Sequence, residues 1–273
     1  PTPGSGLMGG RPESGLVPET NAPHVFIVIC ESLRADALSS GLMPRLAARQ
    51  SRAIPIGRAF AAANCTHMAW LSIAHSTPPH LWNFIAQRSP RHGAAPVRLL
   101  HDAGYTIHFL ASLSAAYFGT AESILGDGRH LASEYVDQGI LLADGIDPSP
   151  PSLDLENMRR VQAGLDRFAP GSRHCYMVML NSTHYEYRWP PTEPARHQPI
   201  LDGPVLLASS VKEDRIEWLR NRYRNSVEFT DRILGEFLDS LEARGLLDSS
   251  VVVVTGDHGE ELDRKSTRLN SSH

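Results

Sequence analysis

The strongest constraint on this chain is a set of continuous apolar runs of strand length. HVFIVIC at 24–30 and HCYMVML at 174–180 carry almost no polar interruption, and SVVVVTG at 250–256 closes the series. Such runs suit strands covered on both faces, which is the habit of parallel sheets. A fourth strand is predicted at YTIHFLAS, 105–112. Between these runs the apolar spacing changes to the helical period. A short helix is predicted over Met43–Arg52 after Pro44, and others over Met68–Ala74, Pro96–Ala103 and Leu153–Phe168. The longest runs over Lys212–Arg244, where Ile216, Leu219, Tyr223, Val227, Ile233, Leu234, Phe237, Leu238 and Leu241 share one face. Gly245 stops it. Strands alternating with helices give an α/β fold, a three-layer sandwich with a mostly parallel central sheet.

Composition narrows the function classes. A formal net charge of −4 with scattered Lys and Arg gives no footprint for a nucleic-acid partner. Three cysteines, Cys30, Cys65 and Cys175, are too few and too dispersed for a disulfide scaffold, and Cys30 and Cys175 read as small buried thiols. No apolar run reaches the roughly 18 residues of a membrane span. Residues 1–22 are rich in Gly, Pro and Ser and read as a flexible linker; 23–262 form one catalytic-sized domain. The polar, aperiodic stretch 263–273 reads as a non-native tail. Proline-rich segments at 147–151 and 189–194 are predicted to be surface loops.

Ligands of open α/β sheets gather at the carboxyl ends of the strands. There the first strand hands over to Glu31, the third to Asn181-Ser182-Thr183-His184, and the fourth to Asp257-His258 between Gly256 and Gly259. A carboxylate and an imidazole side by side suit zinc or manganese, with magnesium and calcium as alternatives. The bland alternatives are a loop carboxylate with a solvated His, and a Glu31 that caps the next helix. The turn Asn64-Cys65-Thr66-His67 precedes the helical stretch MAWLSIA. A hydroxyl or thiol at a helix start meets unpaired backbone N–H groups, and a bound cation can activate it as a nucleophile. Thr66 as a simple N-cap is the competing reading.

In this order the motifs VFIVICESLRADAL, NCTHMAWLSIAHSTPPHLW, YMVMLNSTHYEYRWP and VVVVTGDHGEEL resemble the sulfatase-like branch of the alkaline-phosphatase superfamily. The likeness is to its membrane-anchored phosphotransferases: lipoteichoic acid synthases, lipid A phosphoethanolamine transferases, and inner-membrane sulfatase-like proteins linked to lipopolysaccharide regulation. It covers about 24–262. The resemblance implies an alkaline-phosphatase-like fold, cut short at its C-terminal side, and one divalent-metal site formed by Glu31, Thr66, Asp257 and His258. It also implies Thr66 as nucleophile, His184 on the substrate's phosphate or leaving group, and Asn64 beside the nucleophile turn. By the same resemblance the substrate is a phospholipid, lipid A or glycan ester. Membrane attachment would come through a missing N-terminal region, at the periplasmic face of the bacterial inner membrane.

Two departures qualify it. Formylglycine sulfatases need Pro or Ala two residues after the modified Cys or Ser and Arg four after, whereas Cys65 is followed by His67 and Ala69 at those positions. Phosphodiester chemistry on Thr66 is therefore expected over formylglycine chemistry, with Cys65 the alternative nucleophile. The family's chain also continues past the Asp-His-Gly turn, so the sheet is expected to leave an edge uncovered. A lipid-binding or regulatory module with little turnover is the rival from another class, and a sulfate-ester hydrolase without formylglycine is a third reading.

Overall fold

The structure, a computed structural model, describes residues 22–262 apart from 55, 57–58, 87–90 and 205–210. The linker up to residue 21 and the tail 263–273 lie outside the described residues. Five parallel strands form one sheet: β1 His24–Cys30, β2 Thr106–Ala111, β3 Glu134–Val136, β4 His174–Leu180 and β5 Ser250–Gly256, in the order β3-β2-β4-β1-β5. β1 therefore lies between β4 and β5, with Cys30 in register with both Leu180 and Gly256. That register brings the residues that follow three strands to one place on the sheet's carboxyl edge.

The helices are α1 Pro44–Ala47, α2 Thr66–His75, α3 Trp82–Ala86, α4 Ala95–Asp102, α5 Thr120–Leu125, α6 Gln138–Ala143, α7 Pro150–Leu165 and α8 Ile216–Ala243. They cover both faces, giving the expected three layers. Alternation along β4 divides the core: Tyr176, Val178 and Leu180 meet α7 and α8 on one face, while Cys175, Met177 and Met179 meet α2, α4 and α5 on the other. The α8 stripe does what its period demands. Leu219, Val227, Leu234, Phe237 and Leu241 are wholly buried, each burial contributing about 1.5–3 kcal/mol. Arg244 forms the C-cap and Gly245 follows with a left-handed φ of +66°. Cys30 and Cys175 are buried, as expected.

Some expectations need correction. Pro150 and Pro151 do not sit in a loop; they open α7 at its first positions, where a proline's missing N–H costs nothing. The helix expected over 43–52 breaks into α1 and a 3₁₀ turn at Gln50–Arg52. The edge expected to stay uncovered is β5: among the described residues it pairs with β1 alone, and Val251 and Val253 are exposed. No helix among the described residues is long and apolar enough to cross a membrane.

His174 lies at the amino end of β4, across the sheet from the carboxyl edge. There Glu134, His108, His174 and Ser172 form a hydrogen-bonded chain of 2.7, 3.1 and 3.1 Å, with the His174 ring stacked on Phe168 at 4.1 Å. Burial, and then the neighbouring His108 and His24, lower the pKa of His174 from 6.5 to about 4. The unfolded chain thus takes up this proton first, so the stability His174 contributes is present above pH 6.5 and is lost as pH falls towards 4. Urea midpoints measured across that window are expected to fall less steeply for His174→Phe than for the parent chain; parallel slopes would contradict this.

Candidate active site

Glu31 leaves β1 directly into the protein interior, with 1% of its surface exposed. Its backbone N–H is held by the Leu180 carbonyl at 3.0 Å and its carbonyl by the Thr183 hydroxyl at 2.5 Å, so β4 grips both sides of the residue. Ser32 follows at φ 56°, a left-handed conformation unusual for serine. Two long-range bonds hold it there. Its N–H donates to Asp257 Oδ1 at 3.0 Å, and its carbonyl accepts the Tyr223 hydroxyl at 2.9 Å. The same Tyr223 oxygen accepts the Arg34 N–H at 2.9 Å. β5 closes against this turn through Gly256, where a Cβ would stand 2.4 Å from the Leu33 carbonyl oxygen.

Around the Glu31 carboxylate the four expected groups converge. Thr66 Oγ1 donates to Glu31 Oε1 at 2.7 Å, and His258 Nε2 lies 3.2 Å from the same oxygen. Asp257 Oδ2 is 3.6 Å from His258 Nε2, and His184 Nε2 is 3.9 Å from Glu31 Oε1. Thr66 is not an N-cap: Cys65 occupies that position without a side-chain cap bond, and Thr66 begins α2 with its hydroxyl turned to Glu31. Asn64 and Cys65 line the same cavity as Thr66. Arg34 pairs with Asp36 at 2.7 Å and reaches the Glu260 carbonyl at 2.8 Å, a structural role.

Glu31 Oε2 and Asp257 Oδ2 are buried and have no hydrogen-bond partner. Glu31, Asp257 and His258 each offer a ligand atom, all within 4.8 Å of one another. Two orphaned carboxylate oxygens beside an imidazole are the donor set of a divalent cation, so these residues fit one. The protonation pattern agrees. Burial, then the charge of Glu31, raises the Asp257 pKa to about 7. Burial opposes a charge on His258, yet Glu31 and Asp257 raise its pKa to about 9. Burial likewise works against the Glu31 carboxylate, but His258, His184 and Thr66 hold it below the ordinary range. Positive charge is drawn to this point. Burial keeps His184 below its ordinary value.

Asp154, in α7, was not anticipated from sequence. It is wholly buried and accepts the backbone N–H groups of Asn181 and Ser182 at 2.8 and 2.9 Å and the Ser182 hydroxyl at 2.5 Å. It thereby fixes the turn that carries Thr183 and His184. A carboxylate on the buried face of an amphipathic helix was the available signal. The aromatic residues after His184 divide: Tyr185 lines the cavity, whereas Tyr187 is buried edge-on to Tyr223, 5.3 Å between centroids, and Trp189 packs on the core.

The cavity beside Thr66 has a volume of about 620 Å³, with Glu31, His184 and His258 at one end. The parallel α/β sheet, together with the match to the sulfatase family pattern, puts the chain in the sulfatase-like branch of the alkaline-phosphatase superfamily. The sulfatase family pattern matches residues 23–273, and the chain belongs to the sulfatase family. No curated protein sequence matches the chain. Its fold is similar to that of the lipoteichoic acid synthase LtaP from Listeria monocytogenes, with TM-score 0.63 and 18% identity over 95% of this chain and 62% of that one. The phosphonate monoester hydrolase of Agrobacterium radiobacter is similar at TM-score 0.64 and 14% identity, over 88% of this chain and 63% of that one. That of Silicibacter pomeroyi gives TM-score 0.63 and 17% identity over the same shares. The chain thus spans less than two thirds of these proteins.

Tyr223→Phe removes the hydroxyl that donates to the Ser32 carbonyl and accepts the Arg34 N–H. It is expected to lower stability by about 1–3 kcal/mol in urea titration. An unchanged midpoint would remove Tyr223 from the support of the Glu31 turn.

Proposed function

We propose that this chain is the core of a divalent-metal-dependent enzyme that transfers or hydrolyses phosphate diesters through Thr66. The observation that carries the reading is the 2.7 Å contact of the Thr66 hydroxyl with Glu31 at a point where two buried carboxylate oxygens have no partner. Glu31, Asp257 and His258 would hold the cation, with the Thr66 oxygen beside them. Zinc or manganese suits the mixed oxygen and nitrogen donors, and magnesium or calcium is the alternative. Such an ion supplies Lewis-acid charge that favours an alkoxide at neutral pH.

Glu31 Oε1 orients Thr66 Oγ1 through their 2.7 Å contact, and the Thr66 proton passes to water as Oγ1 bonds to phosphorus and the bond to the leaving oxygen breaks. The proton ends on the departing alcohol. His184, kept neutral by burial, donates a ring N–H to the phosphoryl or leaving oxygen. Water or an acceptor alcohol then attacks the phosphothreonine and releases Thr66. Asn64 flanks the nucleophile turn and steadies it. The substrate in this reading is a lipid or glycan phosphodiester at the periplasmic face of the inner membrane, reached through sequence outside the chain. Its support is the motif resemblance to membrane-anchored phosphotransferases.

The test is hydrolysis of bis(4-nitrophenyl) phosphate and 4-nitrophenyl sulfate by the zinc- or manganese-loaded protein. Phosphodiester turnover is expected to exceed sulfate-ester turnover. Thr66→Ala should lose about a thousandfold or more in kcat, while Cys65→Ala keeps most of it. Turnover surviving in Thr66→Ala, or lost in Cys65→Ala, would overturn the assignment of the nucleophile.

A further inference from the structure

The His184 imidazole reaches the cavity without a hydrogen bond to orient it. Among the described residues neither ring nitrogen has a hydrogen-bond partner: Nε2 lies 3.9 Å from Glu31 Oε1, too far for one, and the Tyr185 ring rests beside it at 4.2 Å between centroids. A working histidine is usually oriented by a bond from its second nitrogen. Here the imidazole stands where its backbone puts it.

That backbone is a turn, closed by the His184 N–H on the Asn181 carbonyl at 3.1 Å. Two buried side chains anchor it. The Thr183 hydroxyl ties it to the Glu31 carbonyl at 2.5 Å. From α7, outside the cavity, Asp154 accepts the Asn181 N–H on Oδ1 at 2.8 Å and the Ser182 N–H and hydroxyl on Oδ2 at 2.9 and 2.5 Å. Donors on both sides require two acceptor oxygens, which a carboxylate has and an amide lacks. Asp154 is wholly buried, and every one of these partners is neutral, so hydrogen bonds alone offset the cost of its charge.

The same helix holds a second part of the cavity wall. Asn157, one turn further along α7, donates to the Ser112 hydroxyl at 3.0 Å, and both residues are wholly buried. Ser112 follows β2, and its N–H donates to the Met179 carbonyl at 3.0 Å. Burial raises the Asp154 pKa; Ser182 and Ser112 both oppose that rise, so the two arms meet at this carboxylate. Leu113, Ser114 and Ala115, next in the chain, line the cavity, as do Asn181 and His184.

We propose that Asp154 is a positioning residue for the reaction: from outside the cavity it sets where the His184 imidazole stands relative to Thr66 and the β2 exit, and so how well His184 meets a phosphoryl oxygen. The proposal rests on the reading of His184 as the group in contact with the phosphoryl or leaving oxygen. The metal ligands have separate supports. Glu31 keeps the Leu180 carbonyl, and Ser32 keeps Asp257 and Tyr223.

The test is a double-substitution cycle, read by calorimetric titration of inorganic phosphate into the full chain in zinc-containing buffer. Asp154→Asn is expected to weaken phosphate binding about tenfold when His184 is present, and less than about twofold on the His184→Ala background. Its zinc affinity should stay within about threefold of the parent's. With bis(4-nitrophenyl) phosphate the same variant should lose about tenfold or more in kcat, with KM changed by less than about threefold. If Asp154→Asn does not fold, Ser182→Ala takes its place. That change removes one donor, leaves both backbone N–H groups on the carboxylate, and should show the same dependence on His184 at about threefold. Equal losses on the two backgrounds, or no loss on either, overturn the role of Asp154 alone. Parent-like phosphate binding by His184→Ala overturns the reading of His184, and the proposal with it.

Discussion

A carboxylate taken out of water at the end of a fully covered strand is the constraint on which the rest of this molecule turns. Glu31 cannot be left bare: an ionised side chain 1% exposed needs compensating charge and hydrogen bonds. Thr66, His258 and His184 approach one of its oxygens, while the other, like Asp257 Oδ2, is buried with no hydrogen-bond partner. Burial, and then the like charge of Glu31, make Asp257 costly to ionise as well, and its pKa rises to about 7. Such a site stabilises a cation because the protein has already desolvated its ligands. The energetic burden on the fold and the proposed chemistry have the same origin.

The sheet bears that burden through its topology. Placing β1 between β4 and β5 lets both neighbours reach the residue after Cys30. β4 contributes the Leu180 carbonyl and the Thr183 hydroxyl to Glu31, and β5 contributes Asp257 to the backbone of Ser32. Behind them, α7 fixes the β4 exit through Asp154, and α8 fixes the β1 exit through Tyr223. The three-layer arrangement is thus a means of holding three strand ends rigid from both faces, as a site on regular elements requires.

Much of this was legible in the sequence because the signals were local. HVFIVIC, HCYMVML and SVVVVTG announce strands by composition alone, and Glu31, Asp257 and His258 stand out as polar groups directly after them. β3 escaped notice because a three-residue strand with Glu134 at its head has no period to detect. The prolines at 150–151 suggest a turn, their commonest use, although they suit the first positions of a helix equally well. Asp154 and Tyr223 were missed for a different reason. Their partners are backbone groups 27 and 191 residues away, and a backbone N–H or carbonyl leaves no mark in a sequence. Sequence placed Tyr223 correctly on the buried stripe of α8; only the fold shows that its hydroxyl secures the turn after Glu31.

The most direct measurement of the central claim is anomalous X-ray diffraction from crystals of the chain grown with zinc or manganese. One strong peak is predicted, about 2 Å from side-chain atoms of Glu31, Asp257 and His258 and beside the Thr66 oxygen. A map with no peak there, with Glu31 still bonded to Thr66 and His258 in the presence of the ion, would contradict the account.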